Sequence, residues 1–181
     1  MREALGALGA LGAARAAGDG GGDERLVVTG GGTGSFELEA RSGLYTEVQP
    51  GSFAVGDGQY ADAGAGFARA LSVLATVCSR PAPDRAVVDC GAKGVDLVGG
   101  PPAVRGVDGS FRLGGDEHGI VDLAAAAAGG GGGGDGAAVG DLLELLPQHC
   151  DPTVNLHDFF VCHRGGVVEE VLPITGRGPG L

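Results

Sequence analysis

From Glu24 onward, apolar and polar positions alternate over short spans separated by glycine and proline. That period of two is the signature of half-buried strands rather than helices. The run "RLVVTGGGTGSFELEA" predicts a strand, a glycine loop, and a second strand or the start of a helix. "LYTEVQPGSFAVGD" predicts two extended pieces around a Pro50-Gly51 turn. "FARALSVLATVCSR" ends in alternating Val and Leu before Pro81, and "RAVVDCGAKGVDLVGG" is a strand followed by glycine-rich loops. "TVNLHDFFVCHRGGVVEEVLPITGRG" predicts a hairpin turning at Arg164 to Gly166, its second run stopped by Pro173. Helix signals are few: the N-terminal segment, and "AVGDLLELLPQ", where Asp141 is placed to cap a short turn. The pattern therefore predicts a mainly β, α+β chain with mostly antiparallel strands and no internal repeat.

Composition trims that picture. The 181 residues suit one domain or one and a half. The chain holds 39 glycines, and much of the excess is local: Ala124 to Gly140 and Gly18 to Asp23 have almost no side chains to pack and are excluded from the folded part. Residues 1–24 are expected to be a low-complexity or helical N-terminal segment. A net charge of −11 argues against a nucleic-acid partner, which needs clustered Lys and Arg. No apolar run approaches a membrane span. The four cysteines show neither CxxC spacing nor a secretory framework. Reduced thiols and an intracellular compartment, cytoplasmic or organellar, are expected.

Three stretches carry candidate chemistry. In "TGGGTGS", Thr29 to Ser35, glycine N–H groups and the Thr33 and Ser35 hydroxyls suit a phosphate, although a Gly-rich turn in so glycine-rich a chain is more often only a turn. "DEHG", Asp116 to Gly119, sets acids beside His118; its plainer meaning is a polar surface turn. In "LPQHCDPTVNLHD", Pro152 disfavours helical backbone at Asp151. An extended chain would then project His149 and Asp151 to one face, roughly 6.5 Å apart at Cα, with Cys150 pointing away. An imidazole and a carboxylate on one face suit zinc or manganese with open positions; the alternative is a polar turn without metal. A four-ligand zinc cage from His149, Cys150, Cys162 and His163 is disfavoured, because adjacent strand residues face opposite ways. Lys93 is the sole lysine of the chain and is expected to be structural.

Taken in order, "VTGGGTGSFEL", "TEVQPGSFAVGDGQY", "LSVLATVCSRPAPDRAVVDCGAKGVD", "GDEHG" and "PQHCDPTVNLHDFFVCHRGGVVEEVLPITGRG" resemble the C-terminal half of the D-threonine aldolase / D-serine dehydratase family. These are fold-type III, alanine-racemase-like enzymes. The resemblance implies the end of a TIM-type barrel binding pyridoxal 5′-phosphate, followed by an antiparallel β-domain. It divides the chain into 25–60, the last barrel strands, and 61–181, the β-domain with its insertion at 124–140. It also implies that Gly32, Thr33, Gly34, Gly51 and Ser52 sit on the cofactor phosphate, and that His149 and Asp151 hold a divalent metal, zinc or manganese. His-x-Asp is the aldolase form of the ligand pair and His-x-Cys the dehydratase form, so the implied activity is a lyase cleaving or dehydrating D-β-hydroxy-amino acids, with the aldolase type first and D-serine dehydration as the alternative. Full-length members are implied to be homodimers.

One departure stands out. Family members carry the Schiff-base lysine early in the barrel, ahead of the glycine loop, and no lysine precedes "LVVTGGGTGS" here. The chain therefore looks like a fragment or a degenerate copy without catalytic residues of its own, and no turnover is expected from it alone. A partial barrel is also expected to expose strand edges. The alternative is a non-catalytic metal-binding β-domain that pairs with another chain. His118 and Arg177 lie in family-like motifs without an assigned role.

Overall fold

The computed structural model describes residues 27–62, 66–124 and 137–179. The N-terminal segment 1–24 and the greater part of the Ala/Gly insertion 124–140 lie outside those residues. The chain divides into two compact units, Met1–Phe53 and Ala54–Leu181.

In the first unit, β1 (Thr29–Gly30) and β2 (Glu47–Val48) pair in parallel. Parallel neighbours need a crossover, and α1 (Phe36–Ser42) supplies it. Glu37 and Glu39 in its first turn suit the positive end of the helix, Arg41 suits the other end, and Gly43 stops it in a left-handed conformation with φ 69°. These local signals settle "SFELEA" as helix. Strand, helix and parallel strand form the repeating unit of a TIM-type barrel. After Pro50-Gly51 the chain makes a 3-10 turn, Ser52–Ala54, where the sequence predicts an extended piece. The Phe53 N–H donates to Thr33 Oγ1 at 3.2 Å, so this segment is tethered to the glycine loop rather than to a neighbouring strand.

The second unit is built on β3 (Val73–Ala82), β4 (Arg85–Val88), β5 (Ala103–Arg105), β6 (Gly109–Leu113), β7 (Gly119–Leu123) and β8 (Leu142–Leu146). They close into a barrel in the order β3-β4-β7-β6-β5-β8, with every pair antiparallel. Closure removes sheet edges. Ala75, Val77, Ala86, Val88, Phe111, Val121, Leu143 and Leu145 fill the interior. The core is the inward half of the period-two pattern.

Two predicted boundaries move. "LLELL" is a central strand, not part of a helical stretch, because Leu143 and Leu145 point inward while Leu142 stays outside; Asp141 instead accepts the Ala138 N–H in the turn before it, at 2.8 Å. β3 runs on through Pro81, where its pairing with β4 is interrupted by register shifts. A residue lacking an N–H is tolerated at such a bulge. Ala137 is fully buried, so packing reaches into the tract that composition alone sets aside.

Beyond the barrel lie α2 (Gly58–Asp62), α3 (Cys150–Asn155) and the hairpin of β9 (Phe159–Arg164) and β10 (Val167–Pro173). Gly165 and Gly166, with φ 57° and 81°, make the tight turn that matches strand twist. Thr153 to Asn155, read in sequence as the start of the hairpin, belongs to α3. The architecture is mainly β with short helices, as the hydrophobic pattern predicts.

Candidate functional site

His149 follows the end of β8 across Pro147 and Gln148, and it precedes α3 with extended backbone, φ −127° and ψ 122°. Asp151 does not continue that extension, as Pro152 led one to expect; it sits in the first turn of α3. Two physical reasons explain the difference. Proline in a first helical turn loses no hydrogen bond, since those N–H groups have no intrahelical partner. The Cys150 N–H, in the same turn, is taken by the Asp57 carboxylate. The side chains of His149 and Asp151 converge all the same, with Nε2 and Oδ2 3.7 Å apart.

Asp151 is largely exposed and His149 half-buried, whereas Cys150 between them is 1 % exposed and turned into the protein. Burial, reinforced by the Asp57 carboxylate, pushes the Cys150 thiol well above its ordinary pKa. The residues behind the site are packed against it. His149 Nδ1 lies 3.1 Å from Asp57 Oδ2, and the Gln59 N–H donates to the Gln148 carbonyl at 3.1 Å. The Thr153 hydroxyl, fully buried, donates back to the His149 carbonyl at 3.1 Å and accepts the Asp96 N–H at 3.1 Å.

In the first unit, the glycine loop and "QPGS" are brought together by Thr33. Its buried hydroxyl oxygen accepts from Ser52 Oγ at 3.1 Å and from the Phe53 N–H. Gly31 is a glycine for internal reasons: its φ is +79°, and a Cβ there would come within 2.8 Å of the Glu39 carboxylate. Gly32 and Gly51 have no such reason, since a Cβ on either would meet nothing within 4 Å. Glycine at these two positions is therefore not required by internal packing.

The remaining candidates lie elsewhere on the second unit. "DEHG" forms the turn between β6 and β7, closed by the Gly114 N–H to the His118 carbonyl at 3.0 Å. Lys93 is exposed and paired with Glu117, whose hydrogen bond and charge raise its pKa. Arg177 pairs with Asp158 at 2.6 Å. Cys162 and His163 lie on β9. Among the described residues, no group of three or more His, Cys, Asp or Glu side chains gathers around one point. A two-donor edge is what His149 and Asp151 offer, and its chemistry fits a borderline divalent ion: Nδ1 is occupied by Asp57, so Nε2 is left for a ligand, beside a carboxylate open to solvent. Asp57 itself escapes a sequence reading. It lies 92 residues upstream of His149, and its one mark is that it stands alone between two glycines.

With this geometry in place, comparison with known proteins fixes the family. Residues 70–163, more than half of the chain, match the family described as "Putative serine dehydratase domain". The D-threonine aldolase of Arthrobacter sp is 46 % identical over 157 residues, 84 % of this chain and 40 % of the relative. The crystal structure of D-threonine aldolase from Filomicrobium marinum superposes with a TM-score of 0.74 at 36 % identity, covering 83 % of this chain and 41 % of that one. D-threo-3-hydroxyaspartate dehydratase from Delftia sp. HT23 gives 0.67 at 27 % identity over 98 % of this chain and 50 % of its own length. The chain thus spans about 40 % of the length of the curated relatives it matches. It belongs to the D-threonine aldolase / D-serine dehydratase family, as its ordered motifs anticipate.

Proposed function

We propose that this chain supplies the metal-holding edge and part of the phosphate cradle of a lyase dependent on pyridoxal 5′-phosphate and a divalent metal. Its substrates are D-β-hydroxy-amino acids, and retro-aldol cleavage is favoured over dehydration because the ligand pair is His-x-Asp. The observation that carries the reading is the convergence of His149 Nε2 and Asp151 Oδ2 at 3.7 Å beside a buried Cys150. D-threonine and D-threo-3-hydroxyaspartate, named in two relatives, share a hydroxyl on Cβ, which gives a metal edge something to recognise.

A bound divalent ion supplies Lewis acidity toward a hydroxyl, and bound pyridoxal phosphate supplies an electron sink. His149 contributes a neutral nitrogen, and Asp151 contributes the negative charge that favours a dication. Gly32, Thr33, Gly34, Gly51 and Ser52 receive the cofactor phosphate, with Thr33 clasping the two segments. Lys93 plays no part in the chemistry: its pairing with Glu117 favours the charged ammonium, the opposite of what a Schiff-base amine needs.

The test is metal content after stripping with chelator and reloading with zinc or manganese. The parent should hold close to one ion per chain, and the His149→Ala, Asp151→Ala double variant should hold none. Equal metal in both would end the proposal. A second reading, a non-catalytic domain that pairs with another chain, has its own observation in the exposed apolar residues Phe159, Val161 and Val171 of the hairpin.

A further inference from the structure

The carboxylate of Asp57 is fully buried. Burying an anion is costly unless each oxygen finds a donor, and each oxygen here has a nitrogen within reach. Oδ2 faces His149 Nδ1 at 3.1 Å, and Oδ1 accepts the backbone N–H of Cys150. The two contacts act on the two sides of the candidate edge. A carboxylate only accepts hydrogen bonds, so the proton of a neutral His149 is held on Nδ1 and the lone pair of Nε2 is directed toward Asp151. The Cys150 N–H opens α3, so the same carboxylate also fixes the turn that carries Asp151.

The segment bearing Asp57 is itself held in place. A Cβ on Gly56 would lie 2.5 Å from the Ala68 carbonyl oxygen, and one on Gly58 would lie 2.1 Å from Gln148 Oε1. Glycine on both sides lets the backbone press Asp57 against the 148–150 segment. The Arg69 guanidinium ties the far side of that segment, with Nη2 donating to the Leu146 and Pro147 carbonyls at 2.8 and 2.7 Å.

We infer that Asp57 is a positioning residue that presets the metal edge by holding His149 in its Nδ1–H form while anchoring the turn that carries Asp151. The inference rests on the proposed metal role of His149 and Asp151. Partners of this kind typically change metal affinity by about 10- to 100-fold when removed.

Asp57→Asn is the informative variant. If its amide oxygen keeps the Cys150 N–H, its NH2 faces Nδ1 as a donor and reverses the tautomer. Two measurements on the full chain then apply: zinc affinity by competition with a chromophoric chelator, and the His149 tautomer from long-range 1H–15N NMR without metal. The expected result is an Nδ1–H imidazole in the parent, an Nε2–H imidazole in Asp57→Asn, and zinc binding weakened by about 10- to 100-fold with the circular dichroism spectrum retained. An Nε2–H imidazole in the parent overturns the inference with no variant needed, which covers a variant that does not fold. Parent-like zinc affinity in Asp57→Asn overturns it as well. A parent that binds no zinc overturns the metal reading itself, and that result is distinct from the other two.

Discussion

The barrel and the β9–β10 hairpin are built from the same kind of sequence and end in opposite states. Both alternate valine and leucine with polar residues, and both close through tight turns. In the barrel the inward half of the alternation disappears from solvent: Ala75, Ala86, Val88, Val121 and Leu145 are all 0 % exposed. In the hairpin, Val161 pairs across to Val171 and Phe159 to Pro173, and this apolar face stays open, with Val161 59 % and Val171 54 % exposed. Strand propensity is thus shared, and closure is what separates the two. Six strands that complete a ring satisfy every edge and enclose a core, whereas two strands leave both edges and both faces to whatever lies alongside. The candidate metal edge stems from the closed region, because His149 leaves β8 within three residues of its end.

The largest effect that tests this contrast is Leu145→Ala. Its side chain is fully buried on β8, which lies between β3 and β5. Removing three carbons leaves a cavity, and the expected loss is about 2–5 kcal/mol in urea unfolding. A loss under about 0.5 kcal/mol, ordinary for a surface position, would mean that the barrel interior is no better packed than the hairpin.

What the sequence reveals about these regions follows from the same physics. The hairpin is legible because "HRGGVV" combines turn glycines with alternating valines, both local signals. β8 is not, because "LLELL" serves a helix as well as a strand, and only its partners on β3 and β5 decide between them. β5, β6 and β7 are short, polar-interleaved and set among glycines, so no period emerges from "AVR", "GSFRL" or "GIVDL". At the site, the adjacency in "HCDP" draws attention to His149 and Asp151, but the backbone at Asp151 is set by Asp57, whose contact spans 92 residues and leaves no periodic trace. Local chemistry is written in the chain; the long-range partner that shapes it is not.

A second, smaller test uses pH. Cys90 is packed in the barrel core, and burial, helped by the Asp89 charge, pushes its thiol from an ordinary 9.0 up to about 11. The folded state therefore holds this proton more tightly than the unfolded state. The stability it contributes is fully present below about 9 and is lost as pH rises toward about 11. The buried Cys150 acts in the same direction. Urea midpoints on either side of that window should fall in the parent and fall less in Cys90→Ala. An unchanged alkaline slope in the variant would show a wetter interior than the packing describes, narrowing the gap to the hairpin.

The smallest effect is the most discriminating for the hairpin. Replacing Val161 and Val171 together by threonine keeps both side chains β-branched and nearly isosteric, so strand propensity is preserved and only the polarity of the open face changes. Threonine in a buried site loses packing and strands a hydroxyl, which destabilises by 1 kcal/mol or more in order of magnitude. On a face open to water neither penalty arises, and the unfolding free energy should stay within about 0.5 kcal/mol of the parent. If another chain covers this face, the same substitution should reduce self-association in sedimentation while leaving the monomer's stability alone. A clear drop in the stability of the isolated monomer would mean that the chain covers the hairpin itself, and the contrast between a closed barrel and an open ribbon would fail.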